Sequence, residues 1–486
     1  MQNHVDVLVV GAGISGIAAS VYLQQRCPER TFAILEGRDA IGGTWDLFRY
    51  PGIRSDSDMY TLGFSFRPWE GDVSIADGAS ILQYLKDTVS EYKLEEKIHY
   101  GKYVQRASWS SEDAKWTVTV HDKHTGKEVS WTCHFLYMCT GYYDYEEGYT
   151  PDFPDIGTFE GEVIHPQKWD ESIDYKDKRI VIIGSGATAI TLLPSLATQA
   201  KHVTMLQRSP TYVVSRPAKD PLGERLKAFL PRRTAGRLTR LKNILMSMFM
   251  YRISRRRPEK VKHFIIDKIR EELPDFDVDT HFTPRYKPWD QRICLVPDSD
   301  LFEVIRDGKA SVVTDHIETF TPDGILLQSG EELQADMIVT ATGLKLKFMS
   351  HLHVEVDGKH IKAPETMTYK GAMFSDIPNL ALASGYTNAS WTLKCELVSM
   401  FVCRVLNTMK KKGYVQCTPR LHDGSVEEAP FMDLSSGYIQ RAVHTFPKLG
   451  SRRPWRMHQN YVRDLFEFAF GTVEDGELEF LGPAGE

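Results

Sequence analysis

Two glycine-rich segments have the composition and spacing to hold phosphates. Gly11-Ala-Gly13-Ile-Ser15-Gly16 lies near the N-terminus, and Gly184-Ser185-Gly186-Ala187-Thr188-Ala189 lies in the middle of the chain. In such a loop the first glycine permits a tight turn and the second lets backbone approach a pyrophosphate. The third, here Gly16 or Ala189, needs only to be small, so that helix and strand pack closely. Free N–H groups at the start of the following helix then receive the negative charge. Glu36 stands 20 positions after Gly16, where it would accept hydrogen bonds from ribose hydroxyls and repel a 2′-phosphate. The corresponding stretch of the second unit, Gln207-Arg208-Ser209, has no acid. Arg208 offers a guanidinium fork to a 2′-phosphate instead. Two loops of different selectivity in one chain imply that two dinucleotides must meet.

The elements that would position these loops are legible. Asp6–Val10 and Phe32–Leu35 read as buried parallel strands around a helix beginning near Ile17. Arg179–Ile183, a helix 187–200 and His202–Leu206 repeat the unit. Two later strands, Phe135–Cys139 and Met337–Ala341, each run into a Thr-Gly turn at Thr140-Gly141 and Thr342-Gly343. These turns are expected to mark the crossings between two domains. Residues 222–275 differ: arginines and lysines crowd around Leu238, Leu241, Ile244, Leu245, Met248 and Phe249 without strand signals. That predicts a basic helical insertion. Two readings of it are a lid over the second nucleotide, which is favoured, and a contact with an anionic membrane surface. A long helix is expected from Trp391 to about Lys412, with Asn388 or Ser390 as its N-cap.

Bulk properties restrict the class. The 486 residues suffice for two or three domains, and 42% hydrophobic with 26% charged residues is ordinary for a globular protein. A net charge of -6 gives no reason to expect a nucleic-acid partner. The seven cysteines are widely spaced without a C-x-x-C, so neither a metal site nor a redox dithiol is indicated. The strand pattern begins by Val5, which leaves no room for a signal peptide. These features point to the cytoplasm, with membrane association left open by the basic insertion.

Two further motifs carry a resemblance. Phe159-Glu-Gly161-Glu-Val-Ile-His165-Pro-Gln-Lys-Trp169-Asp170 fits F-x-G-x-x-x-H-x-x-x-W-[PD], between the two loops. The run from Gly42-Gly43-Thr44-Trp45 through Tyr50-Pro51-Gly52 to Asp56 fits [AG]-G-x-W-x4-[FY]-P-[GM]-x3-D. Both resemble signatures of type I Baeyer–Villiger monooxygenases, class B flavoprotein monooxygenases. The detail is most similar to the ethionamide monooxygenase branch, whose members also oxidise thioamide prodrugs. The resemblance covers nearly the whole chain.

It implies an α/β fold of two Rossmann-like dinucleotide-binding domains with a helical insertion in the second. The implied layout has residues 1–150 as the first part of an FAD domain and 151–220 as the first part of an NADP domain. The insertion then takes 221–280, the rest of the NADP domain 281–335 and the rest of the FAD domain 336–486. The implied cofactors are FAD on the first loop, with Gly43, Thr44, Trp45, Asp56 and Tyr60 joining Gly11, Gly13, Ser15, Gly16 and Glu36, and NADPH on Gly184–Thr188, Arg208 and Ser209. The implied reaction uses O2 and a C4a-peroxyflavin to convert ketones to esters or lactones, with side activity on sulfur compounds. Arg292 matches the catalytic arginine, oriented by Asp56, with Arg285 as a weaker candidate. Gln291 replaces the lysine common before that arginine, which shifts NADP selectivity onto Arg208. The rival is a flavin-containing monooxygenase restricted to nitrogen and sulfur.

Overall fold

The computed structural model describes residues 3–422, 424–432 and 434–483. Val7–Val10 are buried, as a strand covered on both faces must be. The strand Asn3–Val10 pairs in parallel with Phe32–Leu35 on one side and with the long strand Lys127–Met138 on the other. Beyond Lys127–Met138 the nine-stranded sheet continues antiparallel through Lys115–Asp122 and Lys102–Ser110. This meander has strand-like alternation and was not anticipated from the nucleotide motifs. The helix Ile14–Arg26 covers one face and is itself packed by the C-terminal helix Trp391–Lys412.

A second sheet of five parallel strands runs in the order Ala310–Thr314, His202–Gln207, Arg179–Ile183, Met337–Thr340, Glu162–Ile164. The strand Met337–Thr340 therefore lies inside the second domain, past the expected boundary at 335. Its burial between Arg179–Ile183 and Glu162–Ile164 requires this. The two domains are joined by an antiparallel pair, Tyr143–Gly148 with Leu344–Leu346. Each strand follows one of the two Thr-Gly turns, so those turns do mark the crossings.

The insertion forms helices Pro221–Phe229, Arg232–Arg256, Pro258–Glu272 and Val278–Phe282. Val261, Ile265, Ile266 and Ile269 enter the core of the second domain. The helix Arg232–Arg256 instead packs on Met59–Leu62 of the first. There Arg240 is buried, pairs with Glu396 at 2.6 Å, and donates to the Tyr60 carbonyl at 2.9 Å. None of residues 221–280 lines the nucleotide cleft, so the favoured lid reading does not hold. The insertion straddles the outer side of both domains because its apolar residues are divided between two cores.

Candidate active site

A cleft of about 1480 Å³ runs between the domains and is lined by both glycine-rich loops. Pockets for a single small ligand are typically ~300–1,000 Å³, so this one has room for more than one group. At its first end, Gly11 has φ +105°, and a Cβ there would lie 2.6 Å from the Cys139 carbonyl oxygen. Gly13 faces Gly43, and a Cβ on either would meet the other's Cα, at 3.6 and 3.2 Å. The helix begins at Ile14 with no side-chain cap, which leaves its N–H groups to the cleft. Gly16 does not line the cleft: it packs behind the loop, where a Cβ would fall 1.8 Å from the Gly11 carbonyl oxygen. Glu36 is held by the N–H groups of Ala12 at 2.7 Å and Arg38 at 2.9 Å, one on each carboxylate oxygen. Burial raises its pKa, and these bonds oppose the rise. Ser15, Thr44 and Trp45 line the cleft as well, and so does Asp56, which sits between the two loops beside Arg292. These features fit a flavin dinucleotide.

Tyr60 departs from expectation. It is buried under the insertion beside Gly223 and Lys227 and does not line the cleft. The sequence placed it near the cofactor because it follows the Trp45–Asp56 motif. That motif in fact leaves the first domain: Gly52, at φ +74°, sits against the helix Ala187–Leu196, where a Cβ would lie 1.8 Å from Ser195 Oγ.

At the other end Gly184, at φ +134°, abuts the Ala341 carbonyl oxygen, 2.3 Å from where a Cβ would be. A Cβ on Gly186 would meet nothing within 4 Å, so this loop opens directly onto the cleft. Ser185 donates to the Ser209 carbonyl at 3.0 Å and so ties the loop to the strand end that presents Arg208. Gly184 to Thr188, Arg208, Ser209 and Gln291 all line the cleft. Gln291 brings no charge, which leaves Arg208 as the cation at the second strand's end.

The fingerprint residues Phe159, Gly161, His165 and Trp169 are near the cleft but line none of it. Phe159 and Trp169 are core residues. Gly161 abuts the Asp336 carbonyl oxygen, 2.6 Å from a notional Cβ. The Gln167 N–H donates to His165 Nδ1 at 3.2 Å, so Nε2 carries the proton and donates to the Gly343 carbonyl at 3.1 Å. The fingerprint thus fixes the crossing turn, not the chemistry.

Burial lowers the pKa of His165, as it does for His99, His134 and His281, and His458 is pushed down to about 4. Each binds its proton more weakly folded than unfolded. Their stabilising share is therefore complete above the ordinary histidine pKa of 6.5 and is lost as pH falls from there towards 4. The melting temperature is expected to hold from about pH 8 to 7 and to fall steadily below about 6.5. Calorimetry showing a flat profile down to about pH 4.5 would contradict this.

Arg292 enters the cleft between the two loops, on the segment leading into the strand Cys294–Pro297. Its Nη2 lies 3.2 Å from Asp56 Oδ2, and its side chain keeps 37% of its surface open to the cleft. The Asp56 charge is the main reason its pKa stands above the ordinary value. Arg285 is exposed outside the cleft. Tyr142, Tyr143, Trp391, Tyr438 and Arg441 complete this chamber. Trp391 donates from Nε1 to Ser15 Oγ at 2.9 Å and so touches the first loop. Ser390 occupies the N-cap position of its helix but makes no capping bond, because its hydroxyl binds Thr61 Oγ1 at 2.6 Å instead. Tyr142, Tyr143 and Tyr438 were not singled out from the sequence. The first two were legible only as residues after a Thr-Gly turn, and Tyr438 lies in an aperiodic C-terminal stretch.

Comparison with known proteins agrees with this geometry. Residues 4–411 match the family model of flavin-binding monooxygenase-like proteins. The chain is 51% identical over 482 residues to the FAD-containing monooxygenase EthA of Mycobacterium tuberculosis strain H37Rv, covering 99% of this chain and 98% of that protein. It is 46% identical to the probable FAD-binding monooxygenase AlmA of Acinetobacter baylyi, over 99% and 97% of the two chains. Its fold is similar to an oxidized steroid monooxygenase bound to NADP, with TM-score 0.77, 22% identity and coverage of 99% and 100%. It is also similar to cyclohexanone monooxygenase from Rhodococcus sp. Phi1 bound to NADP+, with TM-score 0.74, 20% identity and the same coverage. The chain belongs to the flavin-binding monooxygenase-like family.

Proposed function

We propose that this protein is an NADPH-dependent Baeyer–Villiger monooxygenase that converts ketones to esters or lactones and also oxygenates sulfides and thioamides. The observation that carries the reading is the Arg292–Asp56 pair, which opens into the same cleft as both nucleotide loops. FAD, when bound and reduced by NADPH, would supply the chemistry that activates O2, one atom of which enters the substrate while the other leaves as water. The protein's part is to hold and orient. The first loop and Glu36 bind FAD, and the second loop with Arg208 and Ser209 binds NADPH. Arg292 places a fixed positive charge where negative charge develops on oxygen, and Asp56 aims it. Trp391 and Tyr142, with ring centroids 5.0 Å apart, exclude water beside the first loop.

The test is product analysis by mass with one ketone and one sulfide, alongside NADPH oxidation and O2 uptake. Ester from the ketone supports the reading. Oxygenation of the sulfide alone would make the protein a flavin-containing monooxygenase restricted to nitrogen and sulfur. Arg208→Ala is expected to raise the KM for NADPH at least about tenfold, the loss of a charge-assisted bidentate contact worth ~1.5–3 kcal/mol, and to leave the KM for NADH nearly unchanged. Equal effects on both cofactors would remove Arg208 from the 2′-phosphate site.

We also infer that the insertion rests on an anionic membrane surface. No described helix is long and apolar enough to cross a membrane, so the contact is peripheral. The helix Arg232–Arg256 contains no Asp or Glu, in a chain whose net charge is -6. It exposes Leu238, Leu241, Leu245 and Phe249 on one face, flanked by exposed Arg237, Arg252 and Arg256. Phe229, 87% exposed, precedes it. Apolar residues bordered by arginines suit the boundary between headgroups and acyl chains. The protein is expected to sediment with phosphatidylglycerol vesicles at low salt, to be partly released by high salt, and to lose binding in Leu241→Glu/Phe249→Glu. No sedimentation with such vesicles at any salt would overturn the inference.

A further inference from the structure

We propose that Tyr142, Tyr143 and Tyr438 form a carbonyl-recognising wall of the substrate chamber, their hydroxyls holding the acceptor oxygen of the substrate beside Arg292. This rests on the reading of the protein as a ketone oxygenase. The three residues converge from distant parts of the chain. Tyr142 and Tyr143 leave the crossing turn Thr140-Gly141, while Tyr438 lies on the short helix Gly437–Gln440. Tyr142 and Tyr438 are fixed from behind. The Tyr142 ring packs on Trp391, which is bonded to Ser15 of the first loop. Tyr438 is set by Ser435, whose N–H and Oγ both donate to the Asp290 carbonyl, at 2.9 and 3.0 Å, two residues before Arg292. The wall is thus tied at one side to the flavin loop and at the other to the catalytic-arginine segment.

The hydroxyl chemistry matches a carbonyl. Tyr142 and Tyr143 oxygens lie 3.1 Å apart. A hydroxyl has one proton, so one of the two is consumed between them and the pair presents one free donor to the chamber. A ketone oxygen accepts and never donates, so it completes the pair, whereas a hydrocarbon leaves it unsatisfied. Burial raises the pKa of all three phenols above the ordinary tyrosine value, and the Arg292 charge opposes the rise at each. The hydroxyls therefore remain protonated donors throughout the neutral range, close enough to the guanidinium to feel its charge. Together they supply directed hydrogen bonds where Arg292 supplies charge. That division would separate recognition of the carbonyl from stabilisation of the oxyanion formed on it.

The test uses FAD-loaded enzyme with NADP+, titrated with 2-octanone and, as a match without an acceptor, n-octane, each followed by the perturbation of the flavin absorbance. Tyr438→Phe, the double variant Tyr142→Phe/Tyr143→Phe and the triple variant carrying all three changes are each expected to raise the Kd and KM for 2-octanone, the first two by about three- to tenfold, the loss of one hydrogen bond. The Kd for n-octane should not rise, since a hydrocarbon never engages these hydroxyls. Unchanged ketone binding in all three variants would overturn the proposal. So would an equal loss for ketone and hydrocarbon, which would mean that the rings act only by packing, or a wild-type protein that does not bind 2-octanone. Wild-type enzyme that binds 2-octanone through these hydroxyls yet forms no ester would leave the wall standing and refute the Baeyer–Villiger reading instead.

Discussion

Arg292→Ala should turn the enzyme into an NADPH oxidase. On the proposed reading, cofactor binding depends on the two glycine-rich loops and on Arg208, none of which shares a hydrogen bond or ion pair with Arg292 among the described residues. Flavin reduction by NADPH should therefore persist. The oxygenation step loses the positive charge that Asp56 holds in the cleft, and removal of one such stabiliser costs ~10²–10³ in rate. The two electrons of NADPH would then reduce O2 to hydrogen peroxide, released in place of product. The measurement is NADPH consumed, hydrogen peroxide released and product formed, on one sample. Asp56→Asn should shift the ratio in the same direction but less, because the guanidinium remains while its aim is lost. Product at near wild-type rates from Arg292→Ala would rule the assignment out. The next candidates would be Arg54 and Arg441, which line the same cleft, and not Arg285, which lies outside it.

The contrast between Arg292 and Arg285 shows what a sequence can and cannot carry. Both stand in one aromatic, proline-rich segment, and only the fold decides which one reaches the cleft. The glycine loops were legible because their constraints are local: a Cβ on Gly11 or Gly184 would collide with backbone a fixed distance away. Strands next to those loops were legible for the same reason, through continuous apolar runs. The fingerprint was legible as a pattern but not as a role. His165 and Gly161 meet Gly343 and Asp336, residues more than 170 positions later, so nothing nearby in sequence says that they brace a turn. The resemblance puts Tyr60 at the flavin together with the Trp45–Asp56 motif. The chain instead carries it across to Ser195 and then under the insertion. Tyr438 was invisible, since what places it, the Ser435 bonds to Asp290 and packing on a core built from distant strands, is not local in sequence.

Arg240→Ala should be strongly destabilising although it lies outside the cleft. Arg240 and Glu396 retain only 7% and 4% of their side-chain exposure and meet at 2.6 Å. Glu396 also accepts from the Ser65 N–H at 2.8 Å and hydroxyl at 2.7 Å. One ion pair thus joins the insertion, the segment after Met59–Leu62 and the C-terminal helix. Removing the arginine leaves a buried carboxylate without its cation and frees the carbonyls of Tyr60 and Thr61. Breaking a buried pair from one side costs ~3–5 kcal/mol, so a clear fall in denaturation midpoint is expected. Glu396→Ala should cost a similar amount, since it strands the guanidinium instead. The pair's net contribution is another matter, because both charges were desolvated to form it. Arg240→Met with Glu396→Leu removes both and keeps apolar volume, and it should be more stable than either single truncation. Because Tyr386 and Leu393 share a small core with Ile244 of the same insertion helix, the single variants should also lose FAD more readily on dilution. Urea unfolding of these variants, with Arg240→Ala/Glu396→Ala added to close a double-mutant cycle, measures the coupling. Single truncations that unfold at the wild-type midpoint would show that this pair does not hold the insertion to the FAD domain.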